Sequence, residues 1–322
     1  MKLHRGRSPV ALFLLLTFSF TVSAQTNAPI TEQNIRAELS FLASDAMQGR
    51  GSGTIYERIA AEYIGSQFHQ FGLEPGGDID SGNKSYVQRV PLESGATWNA
   101  IGILRGSDPQ AANEVIMLSA HLDHLGVNEA LNGDKIFNGA DDDASGCVAV
   151  MELARVLAAG KRPHRTIYFI CFGSEERGGF GSQYFIDHSP VPLPQIVADI
   201  TFEMLGRPDA KVPAGTLWLT GFERSTLGPE LARQGASLVA DPHPEQSFFR
   251  RSDNYPLALR GVIAHTISSF GLHTDYHRPS DEVGKIDFPF MTRSLNSLVK
   301  PIQWLANSTF RPAWLPGQAP TR

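Results

Sequence analysis

Cysteine is nearly absent: Cys147 and Cys171 are the only two among 322 residues. That excludes a disulfide framework and the small stapled domain that depends on one. Both stand in apolar stretches, Gly146-Cys147-Val148-Ala149-Val150 and Ile170-Cys171-Phe172, and read as two buried thiols rather than a bridge or a reactive thiolate. Basic runs are lacking too, with 28 Lys and Arg against 33 Asp and Glu and a net charge of −5. Such a chain suits neither nucleic acid nor an anionic membrane surface, and neither is expected as a partner. At 42% hydrophobic and 19% charged it is not a disordered tail or a coiled-coil rod.

Long apolar runs are missing apart from Val10 to Val22, which is shorter than the roughly 20 residues that span a bilayer. Lys2, Arg5 and Arg7 precede it, and Val22-Ser23-Ala24 ends it in small residues that a signal peptidase accepts. Residues 1–24 therefore read as a removable signal peptide, which implies export to the periplasm or the medium without a stable membrane anchor. No cysteine follows the run to carry a lipid. Without the segment 298 residues remain, three positive charges and no negative one are lost, and the charge moves from −5 to −8. No internal repeat or long linker divides residues 25–322, which are expected to form a single domain acting as a monomer.

The remainder alternates between helical and strand patterns. Thr54-Ile55-Tyr56-Glu57 reads as a capping box, followed by Ile59, Ala60, Tyr63, Ile64 and Phe68 at helical spacing up to Gly72. Residues 72–84 read as a loop and Tyr86–Val90 as a strand. Apolar strand runs at 115–118, 166–172, 196–202, 217–220 and 262–268 alternate with helical patterns at 145–159, 181–188, 227–238 and 290–304. Continuous apolar strands between helices predict an α/β fold, a three-layer α/β/α sandwich with a mixed, mainly parallel central sheet.

In such a sheet, ligands bind beyond the carboxyl ends of the strands, and the polar clusters of this chain fall there. His121-Leu122-Asp123 follows 115–118, Asp141-Asp142-Asp143 opens the helix before 159, Glu175-Glu176 follows 166–172, Glu203 follows 196–202, and His277 with Asp281 follows 262–268. Each cluster alone has an ordinary explanation: a surface hydrogen bond, a helix cap, a solvated pair, a turn. Together they would gather carboxylates that repel one another unless cations are present, and a mixed imidazole and carboxylate set suits Zn²⁺.

His121-x-Asp123, Gly139-x-x-Asp142-Asp143-x-Ser145-Gly146, Glu175-Glu176, Glu203 within Phe-Glu-Met-Leu-Gly, and His277 with Asp281 resemble the cocatalytic dinuclear-zinc aminopeptidase family, related to glutamate carboxypeptidase and glutaminyl cyclase. The resemblance runs from about residue 31 to the last helix and includes Gly49-Arg50-Gly51-Ser52-Gly53-Thr54. The protease-associated insert of many members is missing between Tyr86–Val90 and Asn99. The resemblance implies two zinc ions per chain, one held by His121 and Glu203, the other by Glu176 and His277, with Asp142 bridging them and a cis peptide between Asp142 and Asp143. It implies Glu175 as general base of a water-mediated hydrolysis and peptides with a free N-terminus as substrates. Asp123 and Asp281 are placed to accept the free N–H of a ligand histidine, and Asp253 and Tyr276 are further candidates beside the substrate.

Three departures stand against that pattern. Glu203 occupies a position usually Asp, Asn254 replaces a His, and Phe249 stands where some relatives place an oxyanion-steadying Tyr. An apolar pocket for the first side chain is expected from Phe248, Phe249, Phe270, Leu272 and Tyr276. Rival expectations are a one-zinc glutaminyl cyclase, a carboxypeptidase using Arg207, Arg250, Arg251 or Arg278 for a terminal carboxylate, and a metal-free receptor-like binding module.

Overall fold

The computed structural model describes residues 29–321; the expected signal peptide lies outside the described residues. In chain order the helices are α1 (Glu32–Leu42), α2 (Ile55–Gln70), α3 (Gly146–Ala159), α4 (Phe180–Asp187), α5 (Leu227–Arg233), α6 (Asn254–Leu259) and α7 (Phe288–Asn307). The strands are β1 (Glu74–Pro75), β2 (Ile79–Asp80), β3 (Asn83–Lys84), β4 (Val87–Pro91), β5 (Ala96–Leu104), β6 (Val115–His121), β7 (Gly126–Val127), β8 (Ile136–Phe137), β9 (Thr166–Phe172), β10 (Ile196–Phe202), β11 (Leu217–Leu219), β12 (Leu238–Ala240) and β13 (Ala264–Ser268).

Nine strands form one sheet in the order β1-β5-β9-β6-β10-β13-β11-β12, with β4 beside β5. The central four, β9-β6-β10-β13, are parallel, while β5 and β11 join them antiparallel on either side. Every residue of β6, β9, β10 and β13 is buried, which is why β6, β9 and β10 read as largely apolar runs. Ile116, Leu118, Ile167, Phe169, Ile200 and Phe202 face α1, α2, α3 and α7 in one core. Met117, Ile170, Phe172 and Ala264 share a second core with Phe185 of α4 and Leu257 of α6. The two cores give the expected sandwich.

Several boundaries differ from the pattern-based expectation. The helix expected to reach Leu238 stops at Arg233, because Gly235 turns to positive φ and residues 238–240 pair in parallel with β11. The closing helix is longer at both ends; Asp287 caps it by accepting the Phe290 N–H, and Pro289 occupies the first turn, where no donor is needed. The loop 72–84 carries the short strands β1 to β3. Only half of the expected capping box forms: Thr54 Oγ1 accepts the Glu57 N–H at 3.4 Å, while Glu57 turns its carboxylate elsewhere. Both cysteines are free and buried as expected, Cys147 Sγ lying 3.1 Å from the His121 carbonyl oxygen. Strands β4 and β5 form a hairpin across residues 92–95.

Candidate metal centre

The carboxyl ends of the parallel strands, with the loops that leave them, bring the expected residues to one place. His121 ends β6, Glu175 and Glu176 stand just past β9, Glu203 follows β10, and His277 lies on the loop after β13. Asp142 lies between them in the segment before α3, and its peptide to Asp143 is cis as expected. Asp142 Oδ1 is 3.2 Å from His121 Nε2, and Oδ2 is 3.1 Å from His277 Nε2. His277 Nε2 is also 3.1 Å from Glu176 Oε1. Glu203, Glu175, Glu176, Asp142 and His277 line one cavity together with Phe248, Phe270 and Tyr276.

Three consecutive aspartates take three different tasks. Asp141 Oδ1 accepts the Gly206 N–H at 2.7 Å, and Asp143 accepts the N–H groups of His121, Gly146 and Met204 at 3.0–3.2 Å. Both carboxylates are consumed in tying the segment to β6 and to the loop after β10. Asp142 Oδ2, although buried, has no hydrogen-bond partner among the described residues, and neither do His277 Nε2 and His124 Nε2. Buried polar atoms are normally satisfied, so these orphans, with imidazoles and carboxylates of a Zn²⁺-type donor set around them, fit a cation between the side chains.

The electrostatics agree. Burial alone would raise the Asp142 carboxyl, but His124, His121 and His277 hold it well below the usual range. Burial opposes charge on His277, yet Asp142 and Glu176 carry its imidazole up to about 10. Without a metal, protonated imidazoles thus neutralise the carboxylates; a divalent cation with neutral histidine ligands does the same. Glu175 is pushed well above the usual range by burial, with Glu203, Asp253 and Glu176 adding repulsion, while burial lifts Glu203 to about 7.

Two outer carboxylates bond differently from expectation. His121 Nδ1 lies 3.2 Å from the main-chain oxygen of Asp123 and 3.7 Å from its carboxylate. That carboxylate instead accepts Ser52 Oγ at 2.5 Å and the N–H groups of Glu175 and Glu176 at 2.9 and 3.4 Å, and so sets the pose of the Glu-Glu pair. Asp281 bonds to no histidine; its carboxylate accepts the N–H groups of Asp141 and Asp142 at 3.1 Å. Asp253 is buried, and neither of its oxygens has a hydrogen-bond partner among the described residues. Asn254 makes a structural clamp, donating to the Phe249 carbonyl and accepting Thr266 Oγ1. Phe249 packs on Tyr255, His265 and Trp314, away from the centre. Phe248, Phe270 and Tyr276 do line the cavity, Tyr276 stacked on His277 at 3.9 Å, and Leu272 lies in the adjoining groove.

Sequence patterns missed three contributors. Arg50, 1% exposed, donates to the carbonyls of Leu42, Leu122, Asn138 and Gly139 at 2.7–3.0 Å, gripping the loops on both sides of His121 and Asp142. Glu57 accepts Thr97 Oγ1, the Gly53 N–H and the Ser174 N–H, holding the residue before Glu175. His124 places Nδ1 2.8 Å from Glu176 Oε1. Its spacing of three from His121 at a strand end was the available signal; Arg50 binds only main-chain carbonyls and Glu57 reaches Thr97 and the Ser174 N–H far along the chain, which leaves no local pattern.

Comparison with known proteins adds the family. Residues 99–299 match the model of Peptidase family M28. A probable zinc metalloprotease of Pyrenophora teres f. teres is 32% identical over 163 residues, 48% of this chain and 33% of that protein. Leupeptin-inactivating enzyme 1 of Streptomyces exfoliatus is 28% identical over 197 residues, 59% of this chain and 40% of that protein. The matches thus span about a third to two-fifths of these relatives' length. Among solved structures, an aminopeptidase from Aneurinibacillus sp. strain AM-1 superposes with a TM-score of 0.66 at 16% identity, covering 92% of this chain and 99% of that one. Porphyromonas gingivalis glutaminyl cyclase superposes with a TM-score of 0.65 at 18% identity, covering 86% and 100%. At such identities the likeness speaks for the fold, while the sequence match across 99–299 assigns the chain to peptidase family M28.

Proposed function

We propose that the chain is an exported zinc-dependent aminopeptidase that removes N-terminal residues from peptides. The observation that carries this is Asp142, whose two oxygens face His121 on one side and His277 on the other, Oδ2 having no hydrogen-bond partner among the described residues. His121, Asp142 and Glu203 would hold one zinc ion, and Asp142, Glu176 and His277 a second. Zinc there supplies Lewis acidity toward the scissile carbonyl and toward water.

The rest falls to the protein. Glu175, its main chain fixed by Asp123 and its pKa raised by burial, accepts a proton from the attacking water and delivers it to the leaving amine. Successive side chains diverge past a strand end, so Glu175 and Glu176 divide these tasks. The free amine of the substrate is held by the carboxylates of the centre, and its first side chain packs among Phe248, Phe270 and Tyr276. Glu175→Gln should keep both metals and lose turnover by about 10²–10⁴-fold; a fully active variant would remove Glu175 from the mechanism.

One observation favours a second reading. Arg207 is engaged with Asp275 at 2.8 Å, but Arg251 and Arg278 line the groove beside the centre and pair with no acid among the described residues. A carboxypeptidase would use them for a terminal carboxylate. Amino-blocked and carboxyl-amidated peptides, assayed with and without chelator while zinc is counted, separate the cases. Cleavage of free amino ends only, lost with chelator, supports the aminopeptidase; cleavage that requires a free carboxyl end supports the rival, and one zinc per chain supports a cyclase.

A further inference from the structure

His124 is assigned no task by the zinc arrangement above, yet its surroundings are those of a ligand. The residue is buried, its N–H donates to the Arg50 carbonyl at 3.2 Å, and its ring packs against Gly139. A β-carbon at Gly139 would come within 2.6 Å of His124 Cδ2, so glycine leaves the space that the ring fills. The ring is thereby fixed, with Nδ1 2.8 Å from Glu176 Oε1 and 3.9 Å from Asp142 Oδ2. His277 Nε2 reaches the same two oxygens from the other side, at 3.1 Å each.

Four donor atoms from four residues therefore surround one point. Ligand atoms on a tetrahedral zinc with bonds of about 2.0–2.1 Å lie roughly 3.3 Å apart, and the separations of 2.8, 3.1, 3.1 and 3.9 Å straddle that value. One carboxylate oxygen facing two ring nitrogens, beside a second carboxylate oxygen without a hydrogen-bond donor, is the pattern of ligands turned toward a shared cation. We propose that His124 is a fourth protein ligand, through Nδ1, of the cation held by Asp142, Glu176 and His277. This inference rests on the metal-centre reading of the site.

The consequence is an asymmetric centre. One position offers two imidazoles and two carboxylates, the other a single imidazole, His121, with Asp142 and Glu203. Nitrogen donors suit Zn²⁺, so the His124 position should fill first, and a chain given one equivalent of zinc should carry it there.

The test starts from chelator-stripped protein titrated with Zn²⁺ against a chromophoric competitor, for the wild type and for His124→Ala and His124→Asn. Far-ultraviolet circular dichroism of each metal-free form checks that the variants fold. X-ray absorption on the first equivalent counts bound imidazoles. The expected result is two ions in the wild type, the tighter one with two imidazoles, and in both variants one imidazole with the tighter constant weakened more than about 100-fold, beyond what loss of an outer hydrogen-bond partner causes. Two imidazoles retained on the first equivalent, or unchanged constants, would overturn the assignment while leaving the two-zinc reading intact. A wild type that takes up no zinc would overturn both.

Discussion

Asp141, Asp142 and Asp143 are chemically identical, and what separates them is which oxygens the backbone claims. Asp143 is occupied by N–H groups of β6, α3 and the loop after β10, Asp141 by the Gly206 N–H and the His273 ring, and the middle one is left to face His121 and His277. Asp281 completes the arrangement by accepting the N–H groups of Asp141 and Asp142. Asp281→Ala would leave two buried donors without an acceptor, at about 1–3 kcal/mol each. Urea denaturation should show a loss of about 2–6 kcal/mol, together with weaker zinc retention on dialysis; a variant as stable as the wild type would show that water replaces the carboxylate. At this scale the side chains that gather around Asp142 were legible in the sequence, because His, Asp and Glu at strand ends are rare in combination. Asp281 and Asp123 were legible as members of the site but not by partner, since main-chain donors carry no residue type.

Among the elements, β6, β9 and β10 were the easiest strands to find, because burial on both faces makes them largely apolar runs. The short edge strand β12 was not: Leu238 read as the end of a helix, and residues 238–240 owe their strand form to pairing with β11 rather than to their own pattern. Arg50 shows the same limit in side-chain form. Its guanidinium joins the end of α1, the loop after β6 and the segment before α3 through four carbonyls, a connection no local motif announces. Arg50→Met keeps much of the volume and removes every donor, leaving buried acceptors bare at about 1–3 kcal/mol for each one not rescued by water. A loss of about 3–5 kcal/mol is expected in denaturant, with the two proposed zinc sites loosened together because both loops lose one anchor; weakening confined to one site would contradict this.

Over the whole molecule, the cost of embedding acids in a sheet should appear in the pH dependence of stability. Asp199 lies in mid-sheet, accepting Ser119 Oγ at 2.9 Å and Thr201 Oγ1 at 3.0 Å, and burial raises its pKa to about 7. An unfolded aspartate titrates near 3.9. The folded chain therefore binds the extra proton between about pH 4 and pH 7, so this residue's contribution falls as pH rises through that window and levels off above it. The total is on the order of 4 kcal/mol, since each pH unit across the window contributes about 1.4 kcal/mol. Asp199→Asn should gain on the wild type from about pH 4.5 to about pH 7 in thermal denaturation and hold a level advantage above that; a constant difference across about pH 4.5 to 7 would show that Asp199 keeps its charge in the fold.

The two thiols give this architecture a further use. Cys171 lies within β9, and Cys147, on the first turn of α3, rests against the carbonyl of His121. With both sealed at 0–1% exposure, an alkylating reagent can reach them only when the sheet and α3 part. The rate of thiol labelling thus becomes a clock for opening of the core directly beneath His121, readable by mass without attaching any foreign probe.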